Sequence, residues 1–160
     1  MKLLLAFSLS ACATADDAPP SQSSVPSSQS SAPSVSSRQP GQLGPRELAS
    51  GQCGLFVWTG DARRRFILFS DSQRSQAALA TASGEIPLQI TSETGSDAYF
   101  QYPVTSYRTE TGETVNLALG DYRDTTSGRS YRSGTLKTTR GDGWEQVTPV
   151  IGLAVCQPPA

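Results

Sequence analysis

The chain predicts a mainly β fold, a small antiparallel barrel or sandwich of about eight strands, in residues 46–160. Two observations support this expectation. Apolar and polar residues alternate at period two over several short stretches, and turn-forming clusters separate those stretches. Period two buries one face of a β-strand, and short strands spaced regularly between turns are typical of a barrel or sandwich. A segment of about 115 residues is a common size for one domain with its own core.

Three stretches show the alternation, and three apolar runs add further strands. The alternating stretches are residues 85–90, 100–105 and 114–119, and the apolar runs are residues 53–58, 65–70 and 147–156.

The turn clusters all contain glycine beside a small polar or acidic residue. They are Thr59-Gly60-Asp61, Ser83-Gly84, Glu110-Thr111-Gly112, Ser127-Gly128 and Arg140-Gly141-Asp142-Gly143.

Two local signals modify this pattern. Pro87 and Pro103 fall inside strand patterns, which predicts that their strands lie at a sheet edge or beside a bulge, because proline cannot donate to the ladder. Ser70-Asp71-Ser72-Gln73 has the spacing of a capping box, with Ser followed three residues later by Gln. It leads into residues 74–80, all tolerable in a helix, so we expect one short helix there.

The amino terminus has the pattern of an export signal. Met1-Lys2 supplies one positive charge, and Leu3–Leu9 is apolar but far shorter than the 20 or so residues of a spanning helix. The next residues complete Leu9-Ser10-Ala11-Cys12, which resembles the lipobox of bacterial lipoproteins. An ordinary signal peptide with an incidental cysteine is the alternative.

The lipobox resemblance implies a signal peptide over residues 1–11 and a mature chain that begins at a lipidated, acylated Cys12. Several acyl chains, such as palmitate, give lasting membrane attachment, whereas a single chain does not. Ala13 after the cysteine favours the outer membrane, facing the periplasm, by analogy with enterobacterial sorting; exposure on the cell surface is the alternative.

Residues 12–45 form the predicted tether. Ser, Pro, Gln and Ala dominate it, and the seven-residue unit Ser21–Ser27 recurs with one change as Ser28–Ser34. Such a segment buries too little apolar surface to offset its ordering entropy, so we expect it to be disordered.

The remaining cysteines, Cys53 and Cys156, lie near the two ends of the predicted domain. In an oxidising envelope compartment they are expected to form a disulfide. A structural zinc site is disfavoured because the chain has no histidine and only these two further thiols.

Catalytic motifs are not evident, and we expect neither an enzyme nor a cofactor or metal. Without histidine the Ser-His-Asp and Cys-His arrangements cannot form. The nearest carboxylate pairs are Asp121 with Asp124, and Asp142 with Glu145. They fall in or beside predicted turns, where acidic residues are common for other reasons.

The densest positive charge is Arg63-Arg64-Arg65. Overall charge is nearly balanced, with 13 basic and 14 acidic residues, which argues against nucleic acid as a partner. The triplet is either a solvated loop or a contact for anionic lipid headgroups or lipopolysaccharide phosphates, which guanidinium fits well.

Ser127-Gly128-Arg129-Ser130-Tyr131 has the form S-G-x-x-Y, and Arg140-Gly141 follows before the last cysteine. This pattern resembles the membrane-bound inhibitors of C-type lysozyme, small β-barrel lipoproteins. The resemblance implies that Ser127, Tyr131 and Arg140, the last in place of the family's lysine, would enter the lysozyme cleft. An ordinary hairpin turn leading into a strand fits the same residues.

Together these patterns predict a lipid-anchored envelope protein whose β domain binds or supports another component rather than catalysing a reaction. The expected partner is the membrane through the anchor, and beyond it an envelope protein, peptidoglycan or lysozyme. Inhibition of C-type lysozyme is the alternative function, and the oligomeric state is open.

Overall fold

Eleven β-strands and no helix form the part of the chain that the computed structural model describes, residues 40–160. The predicted signal peptide, Cys12 and the predicted tether up to residue 39 lie outside the described residues. The strands are β1 (Cys53–Thr59), β2 (Phe66–Asp71), β3 (Ala77–Thr81), β4 (Gly84–Pro87), β5 (Gln89–Thr94), β6 (Val104–Arg108), β7 (Thr114–Leu119), β8 (Tyr122–Thr125), β9 (Gly128–Tyr131), β10 (Gly134–Thr139) and β11 (Glu145–Cys156).

The strands form one antiparallel sheet in the order β4-β3-β2-β1-β11-β10-β7-β6-β5, with β8 and β9 paired beside it. Only Leu88 separates β4 from β5, so one bent strand pairs first with β3 and then with β6. The first and last strands, β1 and β11, also pair along their whole shared length. The sheet is therefore a nearly closed barrel, and the predicted antiparallel β class is confirmed.

β7 to β10 form one long hairpin with its turn between Thr125 and Gly128. Backbone hydrogen bonds from Gly120 N to Ser133 O and from Arg132 N to Asp121 O continue the ladder across both gaps between the strands. β4 with β5, β7 with β8, and β9 with β10 each form one continuous path of the chain through the sheet. Counted in this way, the eleven segments of residues 40–160 make eight strands, and each pairs with the next along the chain.

The barrel interior is filled by side chains rather than open. Leu55 and Val57 on β1 face inward, opposite Ala154 and Gly152 of β11, and Val115 and Leu117 on β7 face the same core. Eight strands enclose a space just wide enough for side chains, so a filled core is the expected result. Burial of these residues supplies the main favourable term for folding.

Cys53 and Cys156 are directly opposite each other on β1 and β11 and form a disulfide, with their Cα atoms 3.9 Å apart. The predicted disulfide is thus confirmed. It joins the first strand of the barrel to the last, at the seam where the sheet closes.

A segment that we call the strap, residues 41–50, crosses the outer face of β2 and β3. Leu43 donates its N–H to Phe66 O at 2.7 Å and is buried against Phe69 and Ala78. The Arg46 guanidinium lies 5.7 Å from the centre of the Phe69 ring. The packed region therefore includes residues ahead of the boundary at Arg46 that composition predicts.

The predicted short helix is wrong: residues 74–80 instead form a tight turn and β3. The Asp71 carboxylate accepts hydrogen bonds from Ser75 N at 2.8 Å and Gln76 N at 3.1 Å, which closes a turn after β2. The alanines after that turn pair with β2 under the strap, where small side chains allow the strap to pack closely.

The prediction that proline marks a strand at a sheet edge or beside a bulge has a different outcome for each of the two prolines. Pro87 ends β4 at the end of the strand order, as predicted. Pro103 lies outside the strands, directly before β6, which is not an edge strand but pairs with β5 across a register shift between Ile90 and Ser92. Phe100 and Tyr102 also lie outside the strands, because Ala98 pairs with Gln101 in a tight turn.

Candidate functional site

The outer face of β1, β9 and β11 carries an apolar groove of about 300 Å³, which we call the Trp58 groove. On this face Trp58 lies opposite Ile151, and Leu153 lies opposite Ser130. Outward positions of a small barrel are usually polar, because they face water. The strap covers the apolar outer face of β2 and β3 but leaves this groove open.

Three aromatic side chains form a rigid base beside the groove. The Trp58 ring centre lies 5.5 Å from that of Phe66 and 6.2 Å from that of Phe56. Phe56 in turn packs on Phe69 under the strap, with ring centres 5.2 Å apart. Contacts in this distance range are favourable for aromatic rings, so they stabilise the indole of Trp58 in its place on the barrel surface.

Of the three arginines of the predicted triplet, Arg64 lines the Trp58 groove. The turn that carries it is held by Asp61, whose Oδ1 accepts hydrogen bonds from the Thr59 hydroxyl at 2.8 Å and from the backbone N–H groups of Arg63 and Arg64 at 3.1 Å. The hydrogen bond from Thr59 is the main reason why the pKa of Asp61 lies below its ordinary value. The Asp61 carboxylate is therefore stabilised in its charged form.

Arg64 has φ 47°, in the left-handed region that costs energy for a residue with a side chain. Such conformations persist only where surrounding structure enforces them, and they are frequent at functional sites. Here the Asp61 turn enforces it, and the result is a guanidinium at the edge of an apolar, aromatic groove. Arg63 and Arg65 are also exposed but do not line this groove.

The Ser-Gly-x-x-Tyr motif forms the hairpin turn between β8 and β9 and the strand after it. Ser127 lies in the turn, where its backbone oxygen accepts a hydrogen bond from the Tyr99 hydroxyl at 3.1 Å. A Cβ at Gly128 would clash with the backbone oxygen of Ala154, so glycine is needed for β9 to approach β11. The motif therefore has a structural role in this barrel.

Tyr131, the last residue of that motif, is 5% exposed and belongs to the core. Burial raises the pKa of its hydroxyl above the ordinary value. Tyr131 and Ser130 nevertheless line the Trp58 groove. The structure thus brings together parts of two predicted sites, the arginine triplet and the Ser127–Tyr131 segment.

Arg140 lies far from these residues, at the turn between β10 and β11. Its guanidinium lies 4.6 Å from the centre of the Trp144 ring and 3.2 Å from the Asp142 carboxylate. Thr139 pairs with Glu145, whereas Gly128 pairs with Val155, ten positions further along β11. At about 3.3 Å per residue, Ser127 and Arg140 are separated by roughly 30 Å, so the structure does not bring them into one site.

The carboxylates considered as catalytic pairs do not cluster. Asp124 forms an ion pair with Arg129 at 2.7 Å, and Arg129 also stacks 3.8 Å from the centre of the Tyr122 ring. Asp142 and Glu145 lie at the opposite end of β11, where Lys137 holds Glu145 at 2.9 Å and keeps the pKa of its carboxyl below the ordinary value.

Within residues 40–160, no group of three or more His, Cys, Asp or Glu side chains is placed to hold a metal ion. The same residues also contain no helix long and apolar enough to span a bilayer.

Sequence reasoning found Arg64 but missed Trp58, Ile151 and Leu153. The signal was present: in Cys53–Thr59 the outward positions hold Phe56 and Trp58, so the strand is apolar on both faces. A strand apolar on both faces is buried on both or carries a contact surface.

No family model, no curated protein and no solved structure matches the chain.

Proposed function

We propose that this chain is a bacterial lipoprotein, anchored to the cell envelope through Cys12, whose β domain is a non-catalytic binding domain for peptidoglycan. The sequence Leu9-Ser10-Ala11-Cys12 supports the anchor. The Cys53–Cys156 disulfide supports an oxidising compartment, since such bonds persist mainly outside the cytoplasm. The outer membrane, with the domain facing the periplasm, is the proposed location.

The Trp58 groove is the observation on which the binding role depends. An indole ring presents a flat apolar surface, and the C–H faces of sugar rings pack on such surfaces. Arg64 places a guanidinium at the same groove, and guanidinium pairs with carboxylates through two parallel hydrogen bonds. Peptidoglycan offers both groups, because its glycan strands carry sugar rings and its peptide stems carry carboxylates.

The lipid anchor and the tether fit this partner. Ahead of the strap, the predicted tether of residues 13–40 has 28 residues and as a flexible coil spans roughly 30 Å, at about 5–6 Å times the square root of its length. A domain held at that range from a lipid surface reaches the layer beside the membrane without any spanning segment. Binding there would join the membrane to the cell wall through the barrel.

Co-sedimentation with isolated peptidoglycan sacculi tests the binding role. We expect the mature chain to sediment with sacculi and Trp58→Ala to remain in solution. Trp144→Ala is the matched control, because Trp144 is half exposed at the turn between β10 and β11, outside the groove. Arg64→Ala provides a second test in which folding is not at stake, since Arg64 is exposed.

Two results would overturn the proposal. One is equal retention of the wild type, Trp58→Ala and Arg64→Ala chains by sacculi. The other is inhibition of C-type lysozyme by a chain that sacculi do not retain, with the inhibition lost in Ser127→Ala. Mass spectrometry of the mature protein tests the anchor separately, and a product without acyl chains on Cys12 would contradict it.

A further inference from the structure

One end of the barrel holds a second cavity, of about 400 Å³, which we call the barrel mouth. Its floor is apolar: Ile67, Leu79 and Leu136 are 7%, 6% and 4% exposed and belong to the core. The mouth lies on the inner side of the sheet, whereas the Trp58 groove lies on the outer side. A cavity of this volume at the end of a barrel is in the range of small-molecule sites.

The wall of the mouth is lined by hydroxyl and amide groups. Thr59, Thr138, Thr148 and Gln146 all line it. On β10 and β11, Leu136 pairs with Thr148, and the next inward pair, Thr138 with Gln146, is polar on both strands. The inner surface of these two strands therefore changes from apolar to polar towards the mouth. Hydroxyl and amide groups both donate and accept hydrogen bonds, so this wall suits a polar solute rather than a hydrocarbon.

A positive and a negative side chain line the same cavity: Arg65 and Glu113. The Arg65 backbone N–H donates a hydrogen bond to the Thr59 hydroxyl at 3.0 Å, and its guanidinium lies 3.8 Å from the Asp61 carboxylate, a long contact that leaves most of its five N–H donors for a ligand. Its guanidinium passes close to Gly41, where a Cβ would lie 3.4 Å from Nη1 and where φ is +78°. Glycine at this point of the strap leaves room for the guanidinium.

Glu113 is fixed on the other side of the mouth by the turn between β6 and β7. Its backbone N–H donates to the Thr109 hydroxyl at 3.0 Å, and its backbone oxygen accepts from Thr109 N at 3.0 Å. Within the described residues, the Glu113 carboxylate has no ion-pair or hydrogen-bond partner. It is thus free to meet a cation at the mouth.

We infer that the barrel mouth binds a small zwitterion, an α-amino acid or a short peptide with free ends. Glu113 receives the ammonium group, Arg65 receives the carboxylate, and the hydroxyls of Thr138 and Thr148 bind the polar atoms between them. This site goes beyond the proposed function and is separate from the Trp58 groove. Arg64 and Arg65 are neighbours in sequence, yet each lines a different site.

The test is an NMR titration of the mature chain with alanylalanine, N-acetyl-alanylalanine and alanylalanine amide. We expect alanylalanine to shift the backbone amides of Thr138 and Thr148 saturably. Capping either end removes one charged hydrogen-bonded contact and should weaken binding by about tenfold. Glu113→Gln should remove the preference for a free amino end only, and Arg65→Gln the preference for a free carboxylate only.

Matched controls come from the same two turns. Glu110→Gln and Arg63→Gln change the same charges outside the mouth and outside the Trp58 groove, and should leave the titration unchanged. The inference is overturned if alanylalanine causes no saturable shift, if the capped peptides bind equally well, or if neither mouth variant alters binding. Sacculus retention by Glu113→Gln should match the wild type, so failure here is distinguishable from failure of the peptidoglycan proposal.

Discussion

Trp58 and Arg64 line one groove on the outer face of the barrel, although they belong to a strand and to the turn after it. The turn places Arg64 there at φ 47°, held by the Asp61 carboxylate. An apolar aromatic surface and the backbone that carries the cation are thus held side by side before any partner arrives. Fixed groups lose less conformational entropy on binding than mobile ones.

Arg64→Gly separates stability from binding. Glycine adopts the left-handed region without the steric cost of about 1 kcal/mol or more that a side chain incurs, so the urea midpoint should stay the same or rise. Retention by sacculi should fall, because the guanidinium is lost. Arg63→Gly is the control: we expect a loss of about 0.4–1 kcal/mol from greater freedom of the unfolded chain, with retention unchanged. Unchanged retention in Arg64→Gly would contradict the account.

The disulfide should make a large contribution to stability. It closes a loop of 103 residues, for which the chain-entropy model gives about 4.7 kcal/mol. We expect Cys53→Ala combined with Cys156→Ala to lower the free energy of unfolding by about 4–5 kcal/mol in urea titrations. Reduction of the wild type should give the same loss. An unchanged midpoint in both experiments would show that the seam between β1 and β11 does not need the bond.

Gly128→Ala should destabilise the barrel by about 1–3 kcal/mol or more, because the added Cβ clashes with the Ala154 backbone and pushes β9 away from β11. Gly141→Ala is the matched control, since no atom lies within 4 Å of the position of its Cβ. Thermal unfolding of both variants measures the difference. Equal melting temperatures would mean that β9 does not approach β11 as described.

The buried Tyr107 hydroxyl predicts a loss of stability at alkaline pH. The Tyr107 side chain is fully buried, and within residues 40–160 its hydroxyl makes no hydrogen bond of ordinary geometry. Burial raises its pKa to about 12 and outweighs the Ser70 and Thr105 side chains beside it, which act to lower the pKa. An unfolded tyrosine ionises near 10, so the contribution of Tyr107 is fully present below about pH 10 and is lost as pH rises towards 12.

Tyr107→Phe should therefore be as stable as the wild type at pH 7, or more stable, since no buried hydroxyl is left unpaired. It should also lose less stability between pH 10 and pH 12. Urea titrations at both pH values measure this difference. A variant with the same alkaline loss as the wild type would contradict the assignment.

The sequence predicts the barrel well where strand alternation and turn chemistry agree. β7 has the predicted bounds, residues 114–119, and the predicted number of about eight strands agrees with the eight continuous paths of the sheet, although only six of them were predicted with bounds. The local sequence pattern predicted the wrong secondary structure where contacts distant in sequence determine the conformation. Ser70–Gln73 has a capping-box spacing, but the Asp71 carboxylate closes a hairpin turn instead.

The stretch 100–105 failed for a different reason. Tyr99 and Phe100 have φ 57° and 54° in a tight turn, and Phe100 packs against the core. Tertiary packing holds two bulky residues in conformations that local preference opposes, so no propensity argument predicts them.

The candidate site was also predicted only in part from the sequence. Arg64 was found because charge runs are visible in a sequence, whereas Trp58 was assigned only to a strand. Ser127 and Arg140 are 13 positions apart, which is compatible with one loop cluster as far as the sequence shows. A continuous strand path between them instead places them at opposite ends of β11.

The fluorescence of Trp58 tests the central claim most directly. The chain has two tryptophans, so the mature Trp144→Phe chain reports from Trp58 alone. We predict that soluble peptidoglycan fragments carrying both sugar and peptide will shift its emission saturably, and that Arg64→Gly in the same background will abolish the shift. Emission that stays constant up to millimolar fragment, or that shifts equally without Arg64, would contradict peptidoglycan binding at the Trp58 groove.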